Sequence, residues 1–397
     1  QAFKQDDAQI IAFDGPLCVW KAHLEAAMGM QKSTCSARHR IARSTVAAAL
    51  GSCCCLVRLS ELSFTSCPAP VAQVPRRLLR LPQAEYLGPG YDLAPMLVPR
   101  RGASEVPLNF MLDSGLSTSM VAPRVADFLG LKDAEGGDVL YMAADGAREG
   151  RVGQLPEITL DTRGSGAAPV ALGPLKPLVV DFPQVQIGLN LGCAVDGMLG
   201  MEFYQRFAVE TSGSSLRLYA ADDGEAVAAE RGMEALTAVS LPAGLLGLEV
   251  EIAGGRKNIA GQALPRVVGV LDTGASHTVV NWAAAEAFLG ITARDTASLA
   301  EKSASIKAFD ISGEPIEMPL VELRLELRGA GQRARGRVQF QPIEVAVGDI
   351  ALFAKLLKGD VGAPAVLVGQ DIITQRQTLF AASQRLVCFG GSDGMQS

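Results

Sequence analysis

Phe110-Met111-Leu112-Asp113-Ser114-Gly115 and Gly269-Val270-Leu271-Asp272-Thr273-Gly274 carry one pattern: an apolar run that ends in a carboxylate, a small hydroxyl residue and a glycine. An aspartate leaving a buried strand is costly unless hydrogen-bonded, so two of them in one chain point to a site that needs both. Each motif alone also reads as a β-turn, with Asp and Gly chosen for turn geometry and the hydroxyl for a local bond. Recurrence within a repeated framework favours the site.

That framework extends on both sides of the motifs. Apolar strands are expected at Leu93 to Val98 and Leu108 to Leu112 before the first aspartate, and at Gly247 to Ile252 and Arg266 to Leu271 before the second. After each motif come a Ser/Thr-rich turn and a helical stretch, Pro123 to Gly130 and Trp282 to Gly290, ending in Phe-Leu-Gly both times. A glycine-bearing turn follows, Ala143-Ala144-Asp145-Gly146 in the first half and Asp310-Ile311-Ser312-Gly313 in the second. Each half closes on an apolar pair running into glycine, Met198-Leu199-Gly200 and Leu367-Val368-Gly369. The repeat, about 160 residues long, is too long for a solenoid and suits two homologous lobes.

This order resembles the aspartic peptidases, and their retropepsin-like branch more than the pepsin branch. Gly274-Ala275-Ser276-His277-Thr278-Val279-Val280 after Asp272, and Asp196-Gly197-Met198-Leu199-Gly200-Met201-Glu202-Phe203 in the first half, look like signatures of those domains. The likeness spans roughly residues 90 to 220 and 245 to 390. It implies an all-β fold of two tandem retropepsin-like acid-protease barrels, a bilobed pseudo-dimer behind a disordered leader. The expected divisions are 1–82 for the leader, 83–225 for the first lobe and 226–392 for the second.

The implied activity is aspartic endopeptidase. Such a site holds a water between two carboxylates, one ionised to take its proton and one protonated to polarise the scissile carbonyl; like charges so close cannot both ionise. Asp113 and Asp272 would be that catalytic pair. Gly115 and Gly274 would let backbone N–H groups approach the carboxylates, and the Ser114 and Thr273 hydroxyls would tie the loops together. Asp145, Gly146, Ser312 and Gly313 would form flaps over an extended peptide or protein substrate. Tyr141 and Phe309 precede these turns and read more simply as plain strand residues. With both aspartates on one chain the site is intramolecular and permits a monomer, and no cofactor or metal is implied. Leu116 departs from the family pattern, which usually has a small or hydroxyl residue there, and so keeps open an inactive peptide-binding or assembly module. Ala275 at the matching place implies a mildly acidic to near-neutral optimum.

Other classes find little support. His277 lies beyond the basic N-terminal segment with no second His or Cys at ligand spacing, so it reads as a polar residue at a helix start rather than a metal ligand. No zinc-binding His-Glu-x-x-His or phosphate loop is present. Residues 1–84 hold ten Lys/Arg against five Asp/Glu, leaving 26 against 37 beyond them. An acidic body argues against nucleic acid as a partner. Arg328, Arg333, Arg335 and Arg337, interleaved with glycines, read as a solvated hairpin tip.

From Met30 to Pro82 the chain is basic and Ser-rich, with Glu61 the single acid, the composition of a transit peptide. A plastid is the first expectation, with a mitochondrion or the secretory route as alternatives. The apolar stretch from Val46 to Val57 is too short for a membrane span. Met28 and Met30 are candidate initiators. Of eight cysteines, Cys193 and Cys388 fall beyond the leader, too few for a disulfide framework.

Overall fold

The computed structural model describes residues 70, 72–75, 77–79, 91–99, 105–143, 146–161, 169–181, 195–212, 215–253, 266–309, 315–331, 336–356 and 362–391. The fold is mostly β, with short helices between the strands. The strand ending at the first aspartate, Val106–Leu112, buries Leu108, Phe110, Met111 and Leu112. It lies between Tyr91–Val98, antiparallel to it, and Gly197–Leu199, parallel to it. The second repeat copies this: Val267–Leu271 lies between antiparallel Leu246–Ile252 and parallel Val366–Val368. In Leu246–Ile252 only Glu249 and Glu251 reach the surface, the alternation expected of a strand with one wet face.

Both expected helices form, Pro123–Leu129 and Trp282–Leu289, each ended by a left-handed glycine, Gly130 or Gly290. The Asn281 side chain caps the second by accepting from the Ala284 N–H at 2.8 Å.

A nine-stranded sheet belongs to the first repeat and a ten-stranded sheet to the second. In the first, the long strand Gly146–Leu160 leaves its hairpin with Lys132–Ala143 and crosses to pair with Tyr91–Val98 through Met96 and Leu97, closing the sheet on itself. In the second, Pro315–Leu323 and Leu325–Arg328 divide the same task around Arg324, pairing with Ile343–Val347 and Leu246–Ile252 respectively.

A third sheet, of six strands, joins the repeats in the order Ala72–Pro75, Ser215–Ala220, Phe207–Ser212, Thr378–Ala381, Leu386–Phe389, Glu234–Thr237. The seam at its centre pairs Val209 with Phe380, Glu210 with Leu379 and Thr211 with Thr378. One continuous hydrophobic core runs through both repeats, and helix Gly224–Glu230 covers a smaller cluster around Tyr219, Leu379 and Cys388 on one face of the joining sheet. Residues 65–397 form one compact unit. Cys388 is a free, buried thiol, and burial pushes its pKa up to about 12.

Glu210 is fully buried on that seam. Its Oε1 accepts from Arg217 at 2.8 Å and Gln377 Nε2 at 2.6 Å, with Arg231 at 3.3 Å, and its Oε2 accepts from the Tyr219 hydroxyl at 2.5 Å. A buried carboxylate is tolerable only when satisfied this fully.

The structure corrects the expected extent of the leader. Ala72–Pro75 pairs with Ser215–Ala220, and Arg77–Leu79 pairs with Tyr91–Val98, both inside the stretch 1–82. They match Glu234–Thr237 and Val239–Ser240 of the second repeat, which pair with Leu386–Phe389 and Leu246–Ile252. The basic composition that marked this stretch says nothing about hydrogen bonds made by its backbone. Residues 1–69 lie outside the described residues.

Candidate active site

Asp113 and Asp272 leave parallel-flanked strands at the same point, their backbone N–H groups each donating at 3.0 Å to the closing strand, to Leu199 O and Val368 O. The two loops then hold one another. Ser114 Oγ donates to Leu271 O at 2.8 Å and accepts from Thr273 N at 3.0 Å; Thr273 Oγ1 donates to Leu112 O at 3.0 Å and accepts from Ser114 N at 2.9 Å. Each hydroxyl thus uses its one donor and a lone pair on the opposite repeat, which a Cys or Ala could not do.

This crossed tie brings the carboxyls together. Gly115 N donates to Asp113 Oδ1 at 2.9 Å and Gly274 N to Asp272 Oδ1 at 2.8 Å. Each glycine backbone also lies against the opposite acid: a Cβ on Gly115 would fall within 2.6 Å of all three carboxyl atoms of Asp272, and one on Gly274 within 2.6 Å of those of Asp113. Glycine is required here by close approach.

Burial and the neighbouring Asp272 hold the Asp113 carboxyl well above the usual carboxylate range, against the pull of the Gly115 and Leu116 N–H groups. Burial raises Asp272 as well, opposed by the Gly274 N–H, a hydrogen bond from Asp113 and the Ala275 N–H. Two carboxyls this close and this buried disfavour ionising both at once.

A second ring of bonds fastens each loop to its closing glycine. Ser119 Oγ accepts from Gly200 N at 3.2 Å, and Ser119 N donates to Glu202 at 3.2 Å. Thr278 Oγ1 accepts from Gly369 N at 3.1 Å and donates to Asp371 Oδ1 at 2.6 Å, while Thr278 N donates to Asp371 Oδ2 at 2.8 Å. Burial pushes Asp371 up to about 6 despite these donors. Gly200 and Gly369 admit the facing backbone; a Cβ would lie 2.8 Å from Leu116 O or 2.6 Å from His277 O.

Leu116 does not displace the first carboxylate's partners: it packs partly buried against the core, and its N–H is among the donors to Asp113. His277 is half-buried, its Nδ1 2.9 Å from Ser276 Oγ, and burial lowers its pKa. Of the expected flap residues, Gly146 begins its strand opposite Ala143, whereas Asp145, Ser312 and Gly313 lie outside the described residues. Tyr141 and Phe309 fall in strands. Arg328 and Arg337 face one another across a strand pair, with Arg328 bridged to Glu326 at 2.6 Å and Glu251 at 3.1 Å; Arg333 and Arg335 lie outside the described residues. Among the described residues no group of three or more His, Cys, Asp or Glu could hold a metal ion, and no helix is long and apolar enough to cross a membrane.

Sequence reading missed Tyr204 and Gln370. The Tyr204 hydroxyl lies 3.0 Å from Thr273 Oγ1, and Gln370 Nε2 donates to Thr273 O at 2.9 Å. The signal was available in the closing motifs: Gly200-Met201-Glu202-Phe203-Tyr204 laid over Gly369-Gln370-Asp371-Ile372-Ile373 shows a polar residue where its mate is apolar, once in each direction.

The fold is that of two retropepsin-like acid-protease lobes carried by one chain. Residues 102–203 match the family model described as aspartyl protease. No curated protein matches. A solved structure of basic 7S globulin from soybean is similar over 81% of this chain and 95% of that one, with a TM-score of 0.42 and 10% identity.

Proposed function

We propose that the chain is an aspartic endopeptidase in which Asp113 and Asp272 form one intramolecular dyad. The observation that supports this is the crossed tie of Ser114 and Thr273, which holds the two aspartate loops together with each glycine against the opposite acid. In the reaction, ionised Asp272 takes a proton from water as the water attacks a peptide carbonyl, and protonated Asp113 donates to the carbonyl oxygen. The gem-diol intermediate collapses when the amide nitrogen receives the proton now on Asp272 and Asp113 takes one back from a diol hydroxyl, so that the C–N bond breaks to give an acid and an amine. Ser114, Gly115, Thr273 and Gly274 hold this geometry, and the hairpins bearing Gly146 and Gly313 would cover an extended peptide. Because burial raises both carboxyls, the singly protonated pair belongs to weak rather than strong acid. A monomer suffices.

Hydrolysis of a mixed peptide library across pH tests the reading, with Asp113→Asn and Asp272→Asn alongside. Either substitution is expected to lower kcat by about 10³-fold or more. Activity surviving both would place the chemistry elsewhere; a folded wild type without activity would favour an inactive peptide-binding module.

A further inference from the structure

Gln370 is fully buried and uses one end of its amide. Its Nε2 donates to the Thr273 carbonyl at 2.9 Å, while its Oε1 is buried without a hydrogen-bond partner among the described residues. Flipping the amide would set two oxygens face to face, so the orientation is fixed. An orphaned acceptor in a core is a cost that an apolar side chain of similar size avoids. The first repeat does avoid it: Met201 holds the matching place, its N–H donating to Leu116 O at 2.7 Å as that of Gln370 donates to Ala275 O at 2.8 Å.

The clamped carbonyl belongs to the planar Thr273–Gly274 peptide, whose other end is the N–H that donates to Asp272. A donor on a peptide oxygen fixes the plane, polarises the group and strengthens its N–H as a donor. The Ser114–Gly115 peptide makes the same bond to Asp113, but the Met201 side chain has no hydrogen to give its carbonyl. Tyr204 adds a second asymmetric tie: its hydroxyl donates to Thr273 Oγ1, whose own proton goes to Leu112 O, whereas Ile373 at the matching place has none to offer.

We infer that Gln370 is a positioning residue: by clamping the Thr273 carbonyl, with Tyr204 holding the hydroxyl, it makes Asp272 the carboxylate that ionises first and leaves the proton on Asp113. This rests on the reading of the two acids as a proton-sharing pair. Burial raises both carboxyls; the hydrogen bond between them raises Asp113 and lowers Asp272. The titratable groups facing the pair are Tyr204 on helix Met201–Arg206, neutral because burial pushes its hydroxyl far up, and Asp92 on strand Tyr91–Val98, near that hydroxyl; further along the second loop, Asp371 accepts from Thr278 and His277 meets Ser276.

The test is a carbon-13 NMR titration of the full chain with carboxyl-labelled aspartate, the dyad signals being assigned with Asp113→Asn and Asp272→Asn. In the wild type the Asp272 signal is expected to move at lower pH than that of Asp113. In Gln370→Met the gap closes, while the melting temperature stays equal or rises because the orphaned acceptor is gone. In Met201→Gln/Gln370→Met the order reverses. An unchanged gap in folded Gln370→Met overturns the inference. Hydrolysis measured in parallel is expected to show about a tenfold lower kcat at unchanged KM for Gln370→Met. A wild type that titrates as described yet hydrolyses nothing defeats the peptidase reading and leaves the positioning role standing. An active wild type whose titration Gln370→Met does not alter does the reverse.

Discussion

Replacing Thr273 by valine keeps the shape of the side chain and removes three hydrogen bonds at once, stranding the Ser114 N–H, the Leu112 carbonyl and the Tyr204 hydroxyl in a buried place. Each stranded group costs about 1–2 kcal/mol, the lower part of the usual range, so the loss is about 3–6 kcal/mol. Ser114→Ala strands two groups, the Thr273 N–H and the Leu271 carbonyl, for about 2–4 kcal/mol. Thr273→Val should therefore be the worse by about 1–2 kcal/mol, the share that belongs to Tyr204. Urea unfolding followed by circular dichroism measures both, and Tyr204→Phe, alone and with Thr273→Val, completes a cycle whose expected coupling is about 1 kcal/mol. Thr273→Val costing no more than Ser114→Ala, or Tyr204→Phe costing the same in both backgrounds, would refute the reasoning.

Three further outcomes follow from the site and the seam. Gly274→Ala drives a methyl group into the Asp113 carboxyl, and the resulting shift should lower kcat about 10²-fold; steady-state kinetics showing near-normal turnover would exclude that contact. Because burial raises Asp113, the folded chain binds its proton more tightly than the unfolded chain. The stability contributed by that proton is complete below the unfolded value of about 4 and is lost as pH rises through the folded one. The urea midpoint of Asp113→Asn should therefore exceed that of the wild type by more at pH ~7 than at pH ~4; equal differences at both would count against a raised carboxyl. Glu210→Ala leaves Arg217 and Arg231 without their acid and should cost about 3–5 kcal/mol in the same unfolding assay; a loss under about 1 kcal/mol would show that the network contributes little.

The core of the site was legible in the sequence because its requirements are local and repeated. An apolar strand, an acid, a hydroxyl and a glycine must be neighbours in the chain, and Asp113 to Gly115 and Asp272 to Gly274 are. The helices at Pro123 and Trp282 were equally visible through their terminal glycines. Tyr204 and Gln370 were not, because they act on Thr273 from 69 and 97 residues away through contacts that exist only after the closing strands dock. The early strands at Ala72 and Arg77 were hidden for another reason: edge strands are held by backbone bonds, and their basic composition is also that of a targeting segment.

Glu210 stands opposite Leu379 at the centre of the joining sheet, and the pseudo-twofold relation exchanges these two positions. A first repeat mated with a copy of itself would set Glu210 against Glu210, two acids face to face in a buried strand pair. A second repeat mated with itself would meet no such conflict, but would lack the strands that carry Glu210, Arg217 and Tyr219. The two halves are thus a lock and its own key: their sequences prefer the unlike partner, and the chain joining them keeps that partner always at hand.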